Sequence, residues 1–267
     1  MASGPGTVTS SGNPRFRRIR LLIESARERR RERASVLEGL HLVASWLDRR
    51  GALDELVVAE RGLRMPEVTA LIARDGRPPL VLADRLFDAL GTLPSPAPLL
   101  AVVTTPSAPR VLRLDRDAVV LDRLQDPANV GAILRSAAAA GVGCVVTTPA
   151  TAWCWSPKVL RAAMGGHFAL DIHEAVPWPE LLAALQVPLV GTLARGGEPI
   201  YRHDLRPSCA WVFGNEGEGL AEPVVARLDW RLTIPQTDGV ESLNVAAAAA
   251  VCLFEQRRQR QAHSCSS

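Results

Sequence analysis

Cysteine is sparse in this chain and falls into no pattern. The five, at 144, 154, 209, 252 and 265, are odd in number and form no C-x-x-C pair. That argues against a disulfide framework and against a zinc site, and points to a reducing, cytoplasmic setting. No apolar run approaches the roughly 20 residues that a membrane span needs. The opening MASGPGTVTSSGNP lacks the apolar core of a signal peptide, and residues 1–14 read as a disordered leader. No G-K-[ST] is present, which excludes a P-loop, and no G-x-G-x-x-G follows the first strand of a domain, so a dinucleotide fold is poorly supported. His167, His173, His203 and His263 show no ligand spacing, and no metal is expected. Lysine is almost missing: of 31 basic residues only Lys158 is not arginine.

A GC-rich genome would give that arginine bias without functional meaning. The clustering says more. Arg15, Arg17, Arg18 and Arg20 are followed by Arg27, Arg29, Arg30, Arg31 and Arg33, opposed only by Glu24, Glu28 and Glu32. Such a stretch suits nucleic acid phosphates; a solvated helix face laced with Glu–Arg pairs is the alternative.

With 47% hydrophobic and 22% charged residues over 267 positions, the chain can bury a sizeable core, as one large α/β domain or two modest ones. Val36, Leu37, Leu40, Val43, Ala44 and Leu47 recur at helical spacing. Then ELVVAE, PLVLA and PLLAVV read as strands, separated by helices in PEVTALIARDG and DRLFDALG. Residues 15–103 therefore read as a small α/β domain, and the polar, proline-bearing 104–117 as a linker.

Residues 118–260 alternate again. AVVLDRL, CVVTT, VPLVGTL and CAWVFG read as strands of a buried parallel sheet. AILRSAAAAG and SPKVLRAAMG read as helices, the second with Ser156 as N-cap and Pro157 at its first position. After DWRLTIP, ESLNVAAAAAVCLFEQRRQR reads as a long final helix. Ligands of such a sheet sit at the carboxyl ends of its strands, where three loops stand: QDPANVG, GNEGEGL and IPQTDGVESLN. The middle one is an unusual glycine loop. It holds Glu216 and Glu218 and no lysine or arginine, so it would repel the phosphate that glycine loops commonly cradle.

LDRLQDPANVGAILRSAAAAGV, VFGNEGEGL and IPQTDGVESLNVAAAAAV, in that order, resemble the three signature motifs of the SpoU (TrmH-like) family of RNA 2′-O-ribose methyltransferases, within the SPOUT superfamily. LEGLHLV, at 37–43, resembles the start of the ribosomal-protein-like substrate-binding domain found in many of its members. The resemblance implies a C-terminal α/β domain with a deep trefoil knot, S-adenosyl-L-methionine as cofactor, and a homodimer. It implies an RNA substrate, ribosomal RNA in preference to transfer RNA because of the separate N-terminal domain. A non-catalytic RNA-binding or assembly factor is the reading from another class. The cofactor's sulfonium cation is compatible with a loop that carries carboxylates.

Family positions carry the cofactor site to Thr192, Leu193, Gly214, Asn215, Gly219, Ile234, Gln236, Leu243 and Asn244. They carry the catalytic machinery to Arg135, Asn129, Glu216, Ser242 and Asn244. Arg135 is the expected hydroxyl activator; as an arginine stays protonated, holding a phosphate and stabilising an alkoxide is its easier role. Asn129 either orients Arg135 and the ribose or caps its helix, and Ser242 either supports the site or caps the last helix. Glu216 is expected to hold Asn129 or Arg135. RNA contacts are expected from Arg15, Arg17, Arg18, Arg20, His41 and Arg161. Gln236 stands where relatives often carry methionine, which a backbone contact would tolerate.

Overall fold

The structure, a computed structural model, describes residues 6–91, 98–108, 111–194, 196–237, 239 and 242–264. Its backbone divides into two units: Met1–Ser107 with Trp155–Phe168, and Ala108–Cys154 with Ala169–Ser267.

In the first unit Asn13 starts helix α1 (Pro14–Glu24): its side chain accepts from the N–H groups of Arg15 and Phe16, and Pro14 occupies the first helical position. Phe16, Ile19 and Leu22 form the buried stripe. Ser25 interrupts the helix with an extended backbone and then caps α2 (Ala26–Glu32). The chain continues through β1 (Ala34–Glu38), α3 (Leu40–Arg49), β2 (Glu55–Ala59), α4 (Pro66–Asp75), β3 (Leu80–Leu82), α5 (Asp84–Ala89) and β4 (Leu99–Thr104). The sheet order is β1-β4-β2-β3, with only β2 and β3 parallel.

Two expectations change here. The helix read from Val36 begins at Leu40; Val36 and Leu37 lie in β1, and Val36 pairs with Val102. Gly39, at φ 90, breaks strand from helix, a left-handed conformation that suits glycine. The expected leader is tied down from at least Val8, whose N–H donates to Val81 O and whose carbonyl accepts from Ala83 N. Residues 1–5 lie outside the described residues, as do 109 and 110 of the expected linker.

The second unit contains β5 (Ala118–Leu121), α6 (Pro127–Ala140), β6 (Cys144–Thr147), β7 (Asp171–His173), α8 (Trp178–Ala184), β8 (Leu189–Thr192), β9 (Glu198–Pro199), β10 (Ala210–Phe213), α9 (Glu222–Val225), β11 (Trp230–Thr233) and α10 (Val245–Ser264). The intervening α7 (Pro157–Ala163), capped by Ser156 as expected, packs against β1 in the first unit. There His41 Nε2 lies 3.2 Å from Met164 O, and Trp46 meets Phe168 edge to face.

All seven strands of the second sheet are parallel, in the order β7-β6-β5-β10-β8-β11-β9. β5, β6 and β10 are buried at every position, as strands covered on both faces must be. α10 packs against α6. It is pinned at its far end by Gln256, only 2% exposed, which accepts from the Trp211 indole at 3.0 Å and donates to Pro207 O at 3.3 Å. Arg260 pairs with Asp117 beside it.

Candidate active site

The order of the parallel sheet sets β5, β10, β8 and β11 side by side, so the segments that leave their carboxyl ends meet. They wall an open cleft of about 460 Å³. Thr192 and Leu193 come from the end of β8, Gly214, Asn215 and Gly219 from the loop after β10, Ile234 and Gln236 from the segment after β11, and Leu243 and Asn244 from the approach to α10. All nine expected cofactor positions thus line one cleft, with Asn129, Glu216 and Ser242. Phe213, Glu218, Leu220, Val245 and Ala248 line it too; their neighbours in the motifs were the available signal.

The glycine loop closes on itself. Asn215 and Gly219 form an antiparallel bridge, and the Asn215 Oδ1 accepts from the N–H groups of Gly217 and Glu218 at 3.0 and 3.1 Å. A Cβ at Gly214 would sit 2.5 Å from the carbonyl carbon of Gly219, so only glycine lets the two ends meet.

Glu216 joins this loop to the first motif. Its carboxylate accepts from the N–H groups of Gln125 and Asp126, at 3.3 and 3.1 Å, and from the Asn129 amide at 3.2 Å. Burial pushes its pKa up. Its own backbone N–H, the Asn129 amide and the two N–H groups outweigh this and leave it below the usual carboxylate value. Asn129 Oδ1 in turn accepts from Asn244 Nδ2 at 2.9 Å. All three motifs therefore share one hydrogen-bond chain.

Two capping readings are settled by these contacts. Asp126, not Asn129, caps α6, because Pro127 extends the helix back into what reads as a turn; the buried Asn129 is free to bond inward. Asn244, not Ser242, caps α10: its Oδ1 accepts from Ala246 N and Ala247 N at 2.9 and 3.2 Å.

Arg135 does not line the cleft. It lies on the exposed side of α6, six residues past Asn129, or about 9 Å along the axis at 1.5 Å per residue. Glu216 therefore holds Asn129, not Arg135. In the first unit Arg15, Arg18 and Arg20 are engaged by Glu55, Glu32 and Glu24, while Arg17 is exposed. His41 meets a main-chain oxygen, and Arg161 is half-buried in α7.

The cleft suits the implied cofactor. Its volume falls in the range of small-molecule sites. Among the described residues no lysine, arginine or histidine lines it, and two carboxylates do, which favours a cationic ligand over a phosphate. Among the same residues no group of three or more His, Cys, Asp or Glu is placed to hold a metal ion, and no helix is long and apolar enough to cross a membrane.

A family model described as the SpoU rRNA Methylase family matches residues 117–254. The chain belongs to this family. As a SpoU protein it is an RNA 2′-O-methyltransferase that uses S-adenosyl-L-methionine. An uncharacterized tRNA/rRNA methyltransferase of Synechocystis is 31% identical over 99% of this chain and 98% of its own. The 23S rRNA guanosine-2′-O-methyltransferase RlmP of Bacillus subtilis is 30% identical over 88% and 93%. The AdoMet-bound rRNA methyltransferase of Sinorhizobium meliloti superposes with a TM-score of 0.82 at 28% identity, covering 95% of this chain and 97% of that one.

Proposed function

We propose that this SpoU enzyme methylates the ribose 2′-hydroxyl of a guanosine in 23S-type ribosomal RNA, in the cytoplasm, as a homodimer. The chain Glu216–Asn129–Asn244 carries the reading, because it binds three loops at the mouth of a cleft that disfavours phosphate. The relative named for guanosine 2′-O-methylation of 23S rRNA supports the choice of nucleotide.

When bound, S-adenosyl-L-methionine supplies an electrophilic methyl group on a sulfonium. The protein's own residues do the rest. Gly214, Asn215 and Gly219 offer backbone at close range, and Ile234 and Leu243 offer apolar walls for an adenine. Asn129, held at both ends of its amide, fixes the loop that faces the ribose, with Ser242 and Asn244 beside it. Arg135, exposed on α6, holds the phosphate next to the target ribose and stabilises the alkoxide that forms as the hydroxyl loses its proton.

The basic α1–α2 segment and residues 15–103 as a whole bind RNA, with Arg17 and the cationic sides of Arg15, Arg18 and Arg20 on the surface; His41 and Arg161 lie along that contact. Phe254, 45% exposed on α10 beside Ala247 and Val251, forms part of the dimer contact. The insertion of β10 between β5 and β8, late in the chain, supports the knotted path.

The test is a competition. Unmodified ribosomal and transfer RNA are offered together with labelled cofactor, and label in the ribosomal fraction alone is expected. Label in the transfer RNA alone would overturn the substrate assignment.

A further inference from the structure

Arg123 holds a backbone conformation that arginine seldom adopts. At φ 56 it lies in the left-handed region, directly after the buried Asp122 at the end of β5. Its main chain is held on both sides. The N–H donates to Thr148 Oγ1 at 3.1 Å, and the carbonyl accepts from the Asn215 amide of the glycine loop at 2.9 Å. The guanidinium is thereby aimed at that loop. Nε reaches Asp122 at 3.4 Å, and Nη1 pairs with Glu218 Oε2 at 2.9 Å.

Glu218 lines the cleft; Arg123 does not. The charge of Glu218, whose side chain is 72% exposed, is therefore partly offset from outside the cleft. The other lining carboxylate, Glu216, has its charge shared among the N–H donors of Gln125, Asp126 and Asn129. How negative the cleft is toward a ligand depends on the Arg123–Glu218 pair.

That matters because methyl transfer removes the ligand's charge. A methyl–sulfur bond breaks, a methyl–oxygen bond forms, the hydroxyl proton leaves to solvent, and a cationic sulfonium becomes the neutral thioether S-adenosyl-L-homocysteine. We propose that the Arg123–Glu218 pair sets how strongly the cleft prefers the cationic cofactor over its neutral product. Arg123 is a positioning residue here, acting through Glu218 and the loop. The inference rests on the cleft being the cofactor site.

The test is calorimetric binding of S-adenosyl-L-methionine and of S-adenosyl-L-homocysteine to the full chain and to three variants. Arg123→Gly frees the Glu218 charge, and glycine accepts φ 56 at least as well as arginine, so the fold is kept. The product-to-cofactor ratio of Kd values is expected to rise on the order of two- to four-fold, the effect of one added charge several ångströms away near a solvated surface. Glu218→Gln removes a negative charge from the cleft lining, leaves Arg123 its contact with Asp122, and lowers the ratio by a similar factor. The double variant returns near the wild-type ratio, and all shifts shrink at about 0.5 M salt.

A loop that merely loosened would weaken both ligands alike and leave the ratio in place. An unchanged ratio in both single variants, or shifts of the same sign, would overturn the proposal while leaving the cofactor site intact. A wild-type chain that binds neither ligand would overturn the cofactor reading and this inference with it.

Discussion

Asn244 donates through its side-chain amide to Asn129 Oδ1 at 2.9 Å, joining residues 115 positions apart in the chain. The same Asn244 uses its Oδ1 to cap α10. One side chain therefore serves stability and site geometry through different atoms, and substitution can separate them.

Asn244→Asp keeps a good N-cap but loses the amide donor to Asn129 and sets a carboxylate near Glu216. Unfolding temperature should stay within a few degrees of wild type, while methyl transfer falls at least ten-fold. Asn244→Ala loses the cap as well, about 1 kcal/mol, which corresponds to roughly 2–4 °C in a chain of this size. Thermal unfolding beside single-turnover methyl transfer checks both. Equal activity in Asp and wild type would remove Asn129 positioning from the account.

The carboxylate of Glu216 lies below its ordinary value in the fold. A group depressed on folding contributes stability above its unfolded pKa, near 4.3, and loses it as pH falls through the depressed folded value. The Gln125–Asp126–Asn129 staple should therefore be intact at neutral pH and fail only in acid. Unfolding measured from about pH 3 to 6 should show a shallower acid-side loss in Glu216→Gln than in wild type. Identical slopes would show that this carboxylate is not a linked group.

Gly214 and Gly219 should respond differently to alanine. At 214 a Cβ meets the Gly219 backbone at 2.5 Å, so the loop must open, and cofactor affinity should fall more than ten-fold. At 219 there is open space, and only the φ of 68° penalises the substitution, by about 1–2 kcal/mol. Titration calorimetry on both variants checks the order. A Gly219→Ala chain that binds more weakly than Gly214→Ala would contradict the loop's closure as described.

The four described cysteines should be inert to thiol reagents. Cys144, Cys154, Cys209 and Cys252 are all buried. Burial pushes the Cys144 thiol up to about 11 and that of Cys209 up to about 12, and raises Cys154 and Cys252 as well. With Cys265, which lies outside the described residues, replaced by Ser, a disulfide reagent at pH 8 should react only at the rate of unfolding. A fast thiol in the native chain would mean that one of these buried segments opens.

The cleft was legible in part from pattern, because three of the segments around it are strand ends followed by glycine and polar residues, while Thr192 and Leu193 were reached only through the family resemblance. Thr192 and Gly214 each stand where a buried run stops, whereas Ile234 follows the mostly unburied β11. Local patterns misled where two periods overlap. Leu37, Leu40, Val43, Ala44 and Leu47 keep helical spacing across Gly39, although the first belongs to a strand. Asn129 looked like a cap because a proline two residues earlier reads as a turn, when Pro127 is the first helical residue. The docking of α7 on β1 had no local signal at all. Residues 155–168 continue the pattern of the second unit in sequence, and only tertiary contacts such as Trp46 with Phe168 assign them to the first. The Glu partners of Arg15 and Arg18 were hidden likewise, since Glu55 is 40 and 37 residues away.

Arg135 lies outside the cleft wall on the exposed side of α6. Arg135→Ala should therefore leave cofactor affinity within about two-fold, or roughly 0.4 kcal/mol, while abolishing methyl transfer. Parallel loss of both would put Arg135 in the cofactor site instead.

The most direct measurement is to label unmodified 23S-type ribosomal RNA with the full chain and radioactive S-adenosyl-L-methionine, and then hydrolyse the product in alkali. A 2′-O-methyl group blocks cleavage at its own nucleotide, so the account predicts label in a single alkali-stable dinucleotide, absent with Arg135→Ala. Label released in mononucleotides would mean methylation of a base and would contradict the ribose chemistry assigned to this site.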